Sequence, residues 1–231
     1  MTHSIKAVLF DLDGTLINSA PGIMRSTCFA LENMHREIPE ETVHRKFIGP
    51  PLADSFMKHC SMTREEATEA VAWYRKRYQV KGMYECELYP GVTESIRRLK
   101  AAGYIIGLAS SKPEHLCRGI LTYHQAFDLF DDIVGATEDG RISTKDQVLA
   151  EVMRRWTHLP KEEMILVGDT IYDIEGANQS GIASIGVSYG FGDVAEMSSA
   201  GALAILDSMS EVADYLIATP DRSSSPDQPE K

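Results

Sequence analysis

Hydrophobic residues along this chain gather into short unbroken runs rather than strict alternation. Ala7-Val8-Leu9-Phe10 is apolar at every position and stops at Asp11 and a Gly14 turn. A run of that kind fits a parallel strand covered on both faces. Similar runs follow at 104–109, 133–136, 164–167 and 183–187, with a weaker one at 202–206. Helical periodicity fills the intervals 92–102, 113–123, 144–156, 173–179 and 208–217. Strands alternating with helices predict an α/β fold built on a doubly wound parallel sheet.

The alternation fails between Ser19 and Glu85, where only helical segments can be read. Thr63-x-x-Glu66 is a capping box that opens a helix running toward Gln79. Pro39 with Glu40 and Glu41 begins another, and Gly49-Pro50-Pro51 is a rigid break before a third. The pattern predicts a core domain from 1–18 and 86–219, interrupted by a helical cap over 19–85. The final stretch, 220–231, is rich in serine and proline and poor in apolar residues, and is expected to be a disordered tail.

Composition narrows the function classes. The 231 residues carry 23 Lys and Arg against 34 Asp and Glu, a formal charge of -11. This disfavours general nucleic-acid or membrane-surface binding, because both targets are polyanions. A small anionic substrate stays compatible if a local cation and a few basic groups override the net field. Cys28, Cys60, Cys86 and Cys117 have neither metal-ligand nor redox spacing and read as reduced packing thiols. With no signal-peptide pattern and no long apolar run, the expected compartment is the cytoplasm.

Ligands of open parallel sheets bind beyond the carboxyl ends of the strands. Here those ends carry Asp11-Leu12-Asp13-Gly14-Thr15, Ser110-Ser111-Lys112 and Gly168-Asp169-Thr170 with Asp173, while Lys145 opens the helix after the third run, 133–136. Packing Asp11, Asp13, Asp169 and Asp173 together is costly without a cation, and an all-oxygen set favours a hard ion such as Mg²⁺. A carboxylate can act as a covalent nucleophile, and a second one two residues away can protonate a leaving oxygen and then activate water. Ser111-x-x-Glu114 with Pro113 reads as a helix start suited to anions, and Thr144 with Gln147 as another.

These motifs resemble the phosphatases of the haloacid dehalogenase superfamily. Asp11-Leu12-Asp13-Gly14-Thr15 matches the first motif, Leu108-Ala109-Ser110 the second, Lys145 the third and Gly168-Asp169-Thr170-x-x-Asp173 the fourth. Tyr89-Pro90-Gly91-Val92, Ser111-Lys112-Pro113 and Gly190-Phe191-Gly192 resemble the phosphoglycolate-phosphatase-like members. The resemblance implies a Rossmann-like core with an inserted cap, and a Mg²⁺-dependent phosphatase of small phosphorylated metabolites that passes through an aspartyl-phosphate. It implies Asp11 as nucleophile and Asp13 as acid and base. Asp11, the Asp13 carbonyl and Asp169 would hold Mg²⁺, with Asp173 on the ion's water shell. Ser110, Ser111 and Lys145 would bind the phosphoryl group. The second motif departs from the usual Thr-Asn of phosphoglycolate phosphatases by reading Ser110-Ser111.

Other readings compete. A phosphosugar mutase on the same fold needs phosphate-binding residues in the cap, where no decisive signature stands. A dehalogenase gives Asp13 no task, and no motif singles out Lys58, Lys76 or Lys81 as the cap lysine of a phosphonate hydrolase. A receiver-type phospho-acceptor module also clusters aspartates, a hydroxyl and a lysine, but lacks an inserted cap. A loop at Gly49 and Pro50 is a candidate specificity element. His44 and His59 read as surface residues, Trp73, Tyr74 and Tyr78 as cap packing, and Glu65, Glu66 and Glu69 as a solvated face.

Overall fold

The computed structural model describes residues 4–40, 45–48 and 52–218. Six parallel strands form one sheet: β1 (Ala7–Phe10), β4 (Ile105–Pro113), β5 (Asp132–Ala136), β6 (Met164–Gly168), β7 (Ala183–Val187) and β8 (Ile205–Leu206). Their order across the sheet is β5-β4-β1-β6-β7-β8. The chain thus builds outward from β1 in one direction, then crosses over and builds in the other. That reversal opens a crevice at the carboxyl ends of β4, β1 and β6.

Both faces of the sheet are covered, as the unbroken apolar runs require. Val8 and Phe10 point into one buried cluster with Ile106, Leu108, Ile165 and Val167. Ala7 and Leu9 point into the other with Leu149, Val152, Trp156 and Leu166. The helices that cover these faces are α4 (Val92–Ala101), α5 (Glu114–Tyr123), α6 (Lys145–Arg155), α7 (Ile171–Ser180), α8 (Val194–Ser199) and α9 (Met209–Ala218).

The described part of 19–85 is mainly helical, with α1 (Ala20–Asn33), α2 (Leu52–Cys60) and α3 (Arg64–Tyr78), a 3-10 turn at Arg45–Phe47 before α2 and another at Gly82–Tyr84 after α3. Thr63 accepts from the Glu66 N–H and the Glu66 side chain answers to the Thr63 N–H, so the expected capping box opens α3. Ile23, Leu31, Phe56, Tyr74 and Tyr78 continue the same apolar cluster that covers one face of the sheet. A two-stranded antiparallel ribbon, β2 (Ile17–Asn18) with β3 (Glu87–Leu88), carries the chain out of the core and back. Strands of two residues carry too little pattern to be read from sequence.

Two expectations need correction. The weak sixth strand is confined to Ile205–Leu206. More consequentially, β4 does not end at residue 109 but runs to Pro113, so Ser111 is an exposed strand residue rather than a helix cap. Lys112 precedes a proline, which steers it to extended backbone, and Pro113 itself (φ -51, ψ 131) occupies the cap position of α5. The Glu114 carboxylate is engaged by Arg118 and Arg155 instead of reaching back to Ser111. Gly49, Pro50, Pro51, His44 and the tail beyond 218 lie outside the described residues; so does Glu41, whereas Pro39 and Glu40, expected to begin a helix, lie in irregular backbone.

Candidate active site

Strand register levels the chemical groups. Phe10 is paired with Leu108 on one side and Val167 on the other, so Asp11 follows β1 at the height of Ala109 and Gly168. Asp169 and Ser110 come one residue later, both buried. After Asp13 the chain must reverse within a tight turn. Gly14 takes φ +83, and a Cβ there would lie 2.0 Å from Asp169 Oδ2. Glycine at this position therefore permits both the turn and the close approach of the Asp169 carboxylate.

Lys145 sits at the first position of α6 behind Thr144, whose capping box with Gln147 is formed as expected. Its ammonium is not on the surface. Nζ donates to Asp11 Oδ1 at 2.7 Å and to the Ala109 carbonyl at 2.8 Å, and lies 2.8 Å from Asp173 Oδ1. Asp173 serves twice, since its Oδ2 accepts from the Thr170 N–H at 3.0 Å and caps α7. Asp169 accepts from Thr15 Oγ1 at 3.1 Å and from the Phe191 N–H at 2.8 Å. Tyr189 donates to the Thr15 carbonyl at 2.8 Å and so braces the same turn.

Asp11, Asp169 and Asp173 each offer a buried carboxylate oxygen, and the three atoms lie within 4.8 Å of one another. One lysine cannot neutralise three such groups. Burial, with added pressure from Asp173 and Asp13, pushes the Asp11 carboxyl up to about 6 despite Lys145. Burial and the charges of Asp173 and Asp11 raise Asp169 well above the carboxylate range. Burial disfavours the Lys145 ammonium, but Asp11 and Asp173 outweigh it and hold its pKa above the ordinary lysine value. Excess negative charge, hard oxygen donors and close spacing suit a divalent cation.

The structure brings Asp11, Ser110, Lys145, Asp169 and Asp173 to one crevice. The Asp13 carboxylate leaves that cluster: its Oδ2 accepts from Lys112 Nζ at 2.6 Å, and its Oδ1 is buried with no hydrogen-bond partner among the described residues. Only the Asp13 main chain therefore remains available to a cation in the cluster. Sequence reasoning did not single out Lys112, Thr15 or Tyr189 for the site. Lys112 was not within reach of strand periodicity, because the register of β4 against β5 shifts between Ser110 and Pro113.

The profile of the haloacid dehalogenase-like hydrolase family matches residues 8–187. A 5'-nucleotidase of Pseudomonas aeruginosa is 38% identical over 82% of this chain and 86% of its own length. Tyrosine-protein kinase PtkA of Mycobacterium tuberculosis is 34% identical over 82% of this chain and 64% of its own. A crystal structure described as a predicted phosphatase from Clostridium acetobutylicum superposes with a TM-score of 0.87 at 37% identity, covering 93% of this chain and 99% of that one. Motif order, sheet topology and these likenesses converge, and the chain belongs to the haloacid dehalogenase-like hydrolases.

Proposed function

We propose that this chain is a Mg²⁺-dependent phosphatase of small phosphorylated metabolites, acting in the cytoplasm through a phosphorylated Asp11. The observation that carries the reading is the contact of Lys145 with both Asp11 and Asp173, beside Asp169, at the switch point of the sheet. The 1–18 and 86–219 segments form the catalytic core in this reading, and 19–85 the cap that covers it.

Asp11, Asp169 and the Asp13 carbonyl would hold Mg²⁺, with Asp173 behind them. The ion, when bound, supplies positive charge between a carboxylate and an incoming phosphate that otherwise repel. Asp11 attacks phosphorus in line, and the ester P–O bond breaks as Asp13 gives its proton to the leaving oxygen. Asp13, now a carboxylate, takes a proton from water, whose oxygen attacks the same phosphorus. Asp11 leaves and inorganic phosphate is released. Ser110, Lys145 and main-chain N–H groups near Leu12 and Ser111 hold the phosphoryl oxygens. Positioning and fixed charge of this kind dominate phosphoryl transfer.

Purified protein should release phosphate from p-nitrophenyl phosphate with Mg²⁺ and stop when a chelator is added, and Asp11→Asn should abolish turnover. A panel of phosphoglycolate, nucleoside 5'-monophosphates, sugar phosphates and pyrophosphate would name the substrate. The 5'-nucleotidase relative justifies the nucleotides in it. A second reading, transfer to a tyrosine hydroxyl, is raised by the kinase relative, of which this chain spans only 64%. Phosphotyrosine formed from ATP without phosphate release would favour it; a stable phosphoprotein that never turns over would instead point to a receiver-type module.

A further inference from the structure

The phosphatase reading requires Asp13 to meet the leaving oxygen, yet the Asp11 cluster does nothing to aim its side chain. We propose that Lys112 is the positioning residue of Asp13 and that it ties the acid to the cap through Tyr78.

Lys112 and Asp13 form an ion pair with side-chain exposures of 8% and 21%. The ammonium also lies over the Tyr78 ring, 4.8 Å from its centre, a distance at which a desolvated cation is attracted by the ring face. Tyr78 is the last residue of α3, and its ring stacks on Tyr74 at 5.1 Å. One ammonium therefore touches the core's acid on one side and the cap's aromatic wall on the other. Burial works against the Lys112 charge, but Asp13, helped by Tyr78 and Tyr74, outweighs it and holds the lysine above its ordinary value.

The pair also distinguishes the two oxygens of Asp13. Oδ2 is held by Lys112, whereas Oδ1 is buried without a partner among the described residues. An unpartnered buried oxygen is costly unless something else uses it. Oδ1 is the oxygen that carries the proton to the leaving group, and Oδ2 is its anchor. If α3 shifts, the tyrosine wall and the anchor shift with it, so the acid is aimed only when the cap is seated. Lys112 touches no reacting atom and acts through Asp13.

The test separates aim from general damage by comparing leaving groups. kcat/KM is measured with Mg²⁺ on p-nitrophenyl phosphate, whose leaving group departs unaided, and on 2-glycerophosphate, whose alkoxide needs the proton. Lys112→Met should lose about 100-fold on the glycerol ester and no more than about threefold on the nitrophenyl ester. Lys112→Arg should recover part of the loss. Tyr78→Leu should move the ratio in the same direction by about tenfold or less, and Tyr78→Phe should restore it. Equal losses on both esters, no loss, or a gain on the glycerol ester would overturn the proposal. Should Lys112→Met fail to fold, the Tyr78 pair decides: an unchanged ratio in Tyr78→Leu overturns the link to the cap. Wild-type protein inactive on both esters would instead sink the phosphatase reading itself, and this inference with it.

Discussion

Lys145 and Lys112 are both buried ammonium groups, each bonded to one of the two aspartates after β1, yet their surroundings differ in kind. Among the described residues, the polar partners of Lys145 all stand on core elements: Asp11 after β1, the Ala109 carbonyl of β4 and Asp173 of α7. Lys112 has the core on one side and a cap tyrosine on the other. The first arrangement is fixed by sheet register and does not depend on where the cap lies. The second is complete only when cap and core meet. In the proposed mechanism the charges that would receive phosphate belong to the core, and the group that would handle the proton belongs to its joint with the cap.

Breaking the core side should cost the most. Lys145→Met leaves three crowded, buried carboxylates without their cation. Turnover should fall by about 1000-fold and stability by about 3–5 kcal/mol, the usual result of orphaning a buried charge. Calorimetry with and without Mg²⁺ checks this: the metal should recover melting temperature but not rate. Loss of rate with no loss of stability would mean the cluster is less crowded than its geometry implies.

Proton linkage sharpens the comparison with a smaller effect. With its carboxyl raised to about 6 by burial, Asp11 in metal-free protein keeps its proton in the folded state at pH values where the unfolded chain has released it. Folding stability from this group is therefore fully present below about pH 4 and is lost as pH rises through about 6. Asp11→Asn mimics the protonated form. Its melting temperature should match that of the metal-free native chain at pH 4 and exceed it by roughly 5–10 °C at pH 7. A constant gap across that range would contradict the assignment.

The smallest effect is expected at the far end of α3. Thr63→Ala removes the capping hydroxyl and should cost about 1 kcal/mol, or roughly 2–4 °C in melting temperature, with kcat/KM on nitrophenyl phosphate unchanged. A large fall in activity would show that the start of α3, and not just Tyr78 at its end, governs the site.

The core was legible because its strands are buried on both faces and advertise themselves as unbroken apolar runs. Strand 183–187 falls where the sequence pattern puts it, and β5, β6 and helices α4, α6 and α9 differ by a residue or two at their ends. Asp11, Ser110, Lys145, Asp169 and Asp173 were readable because their motifs stand at the ends of those runs. The burial of Lys145 was not, since a lysine near a helix start has the same local sequence whether it faces water or three carboxylates. Ser111 misled for a similar reason: Ser-x-x-Glu is a capping pattern, and only the restriction imposed by Pro113 on Lys112 keeps the strand going. Two cap helices, α2 after the Gly49-Pro50-Pro51 break and α3 behind the Thr63 capping box, were legible in the sequence; α1 carries no comparable capping box, and β2 and β3 are too short to carry a period.

That short ribbon has a consequence for how such a protein can change. Asn18 faces Glu87 and Ile17 faces Leu88 across the ribbon, so the departing and returning chain run side by side. Anything spliced between them needs only ends that meet at the spacing of an antiparallel pair, about 5 Å. Lengthening, shrinking or replacing the helices beyond this gateway leaves each sheet register untouched. If the cap sets substrate choice, as the proposed function has it, exchanging it wholesale would change preference, provided the newcomer brings its own wall for the ammonium at position 112.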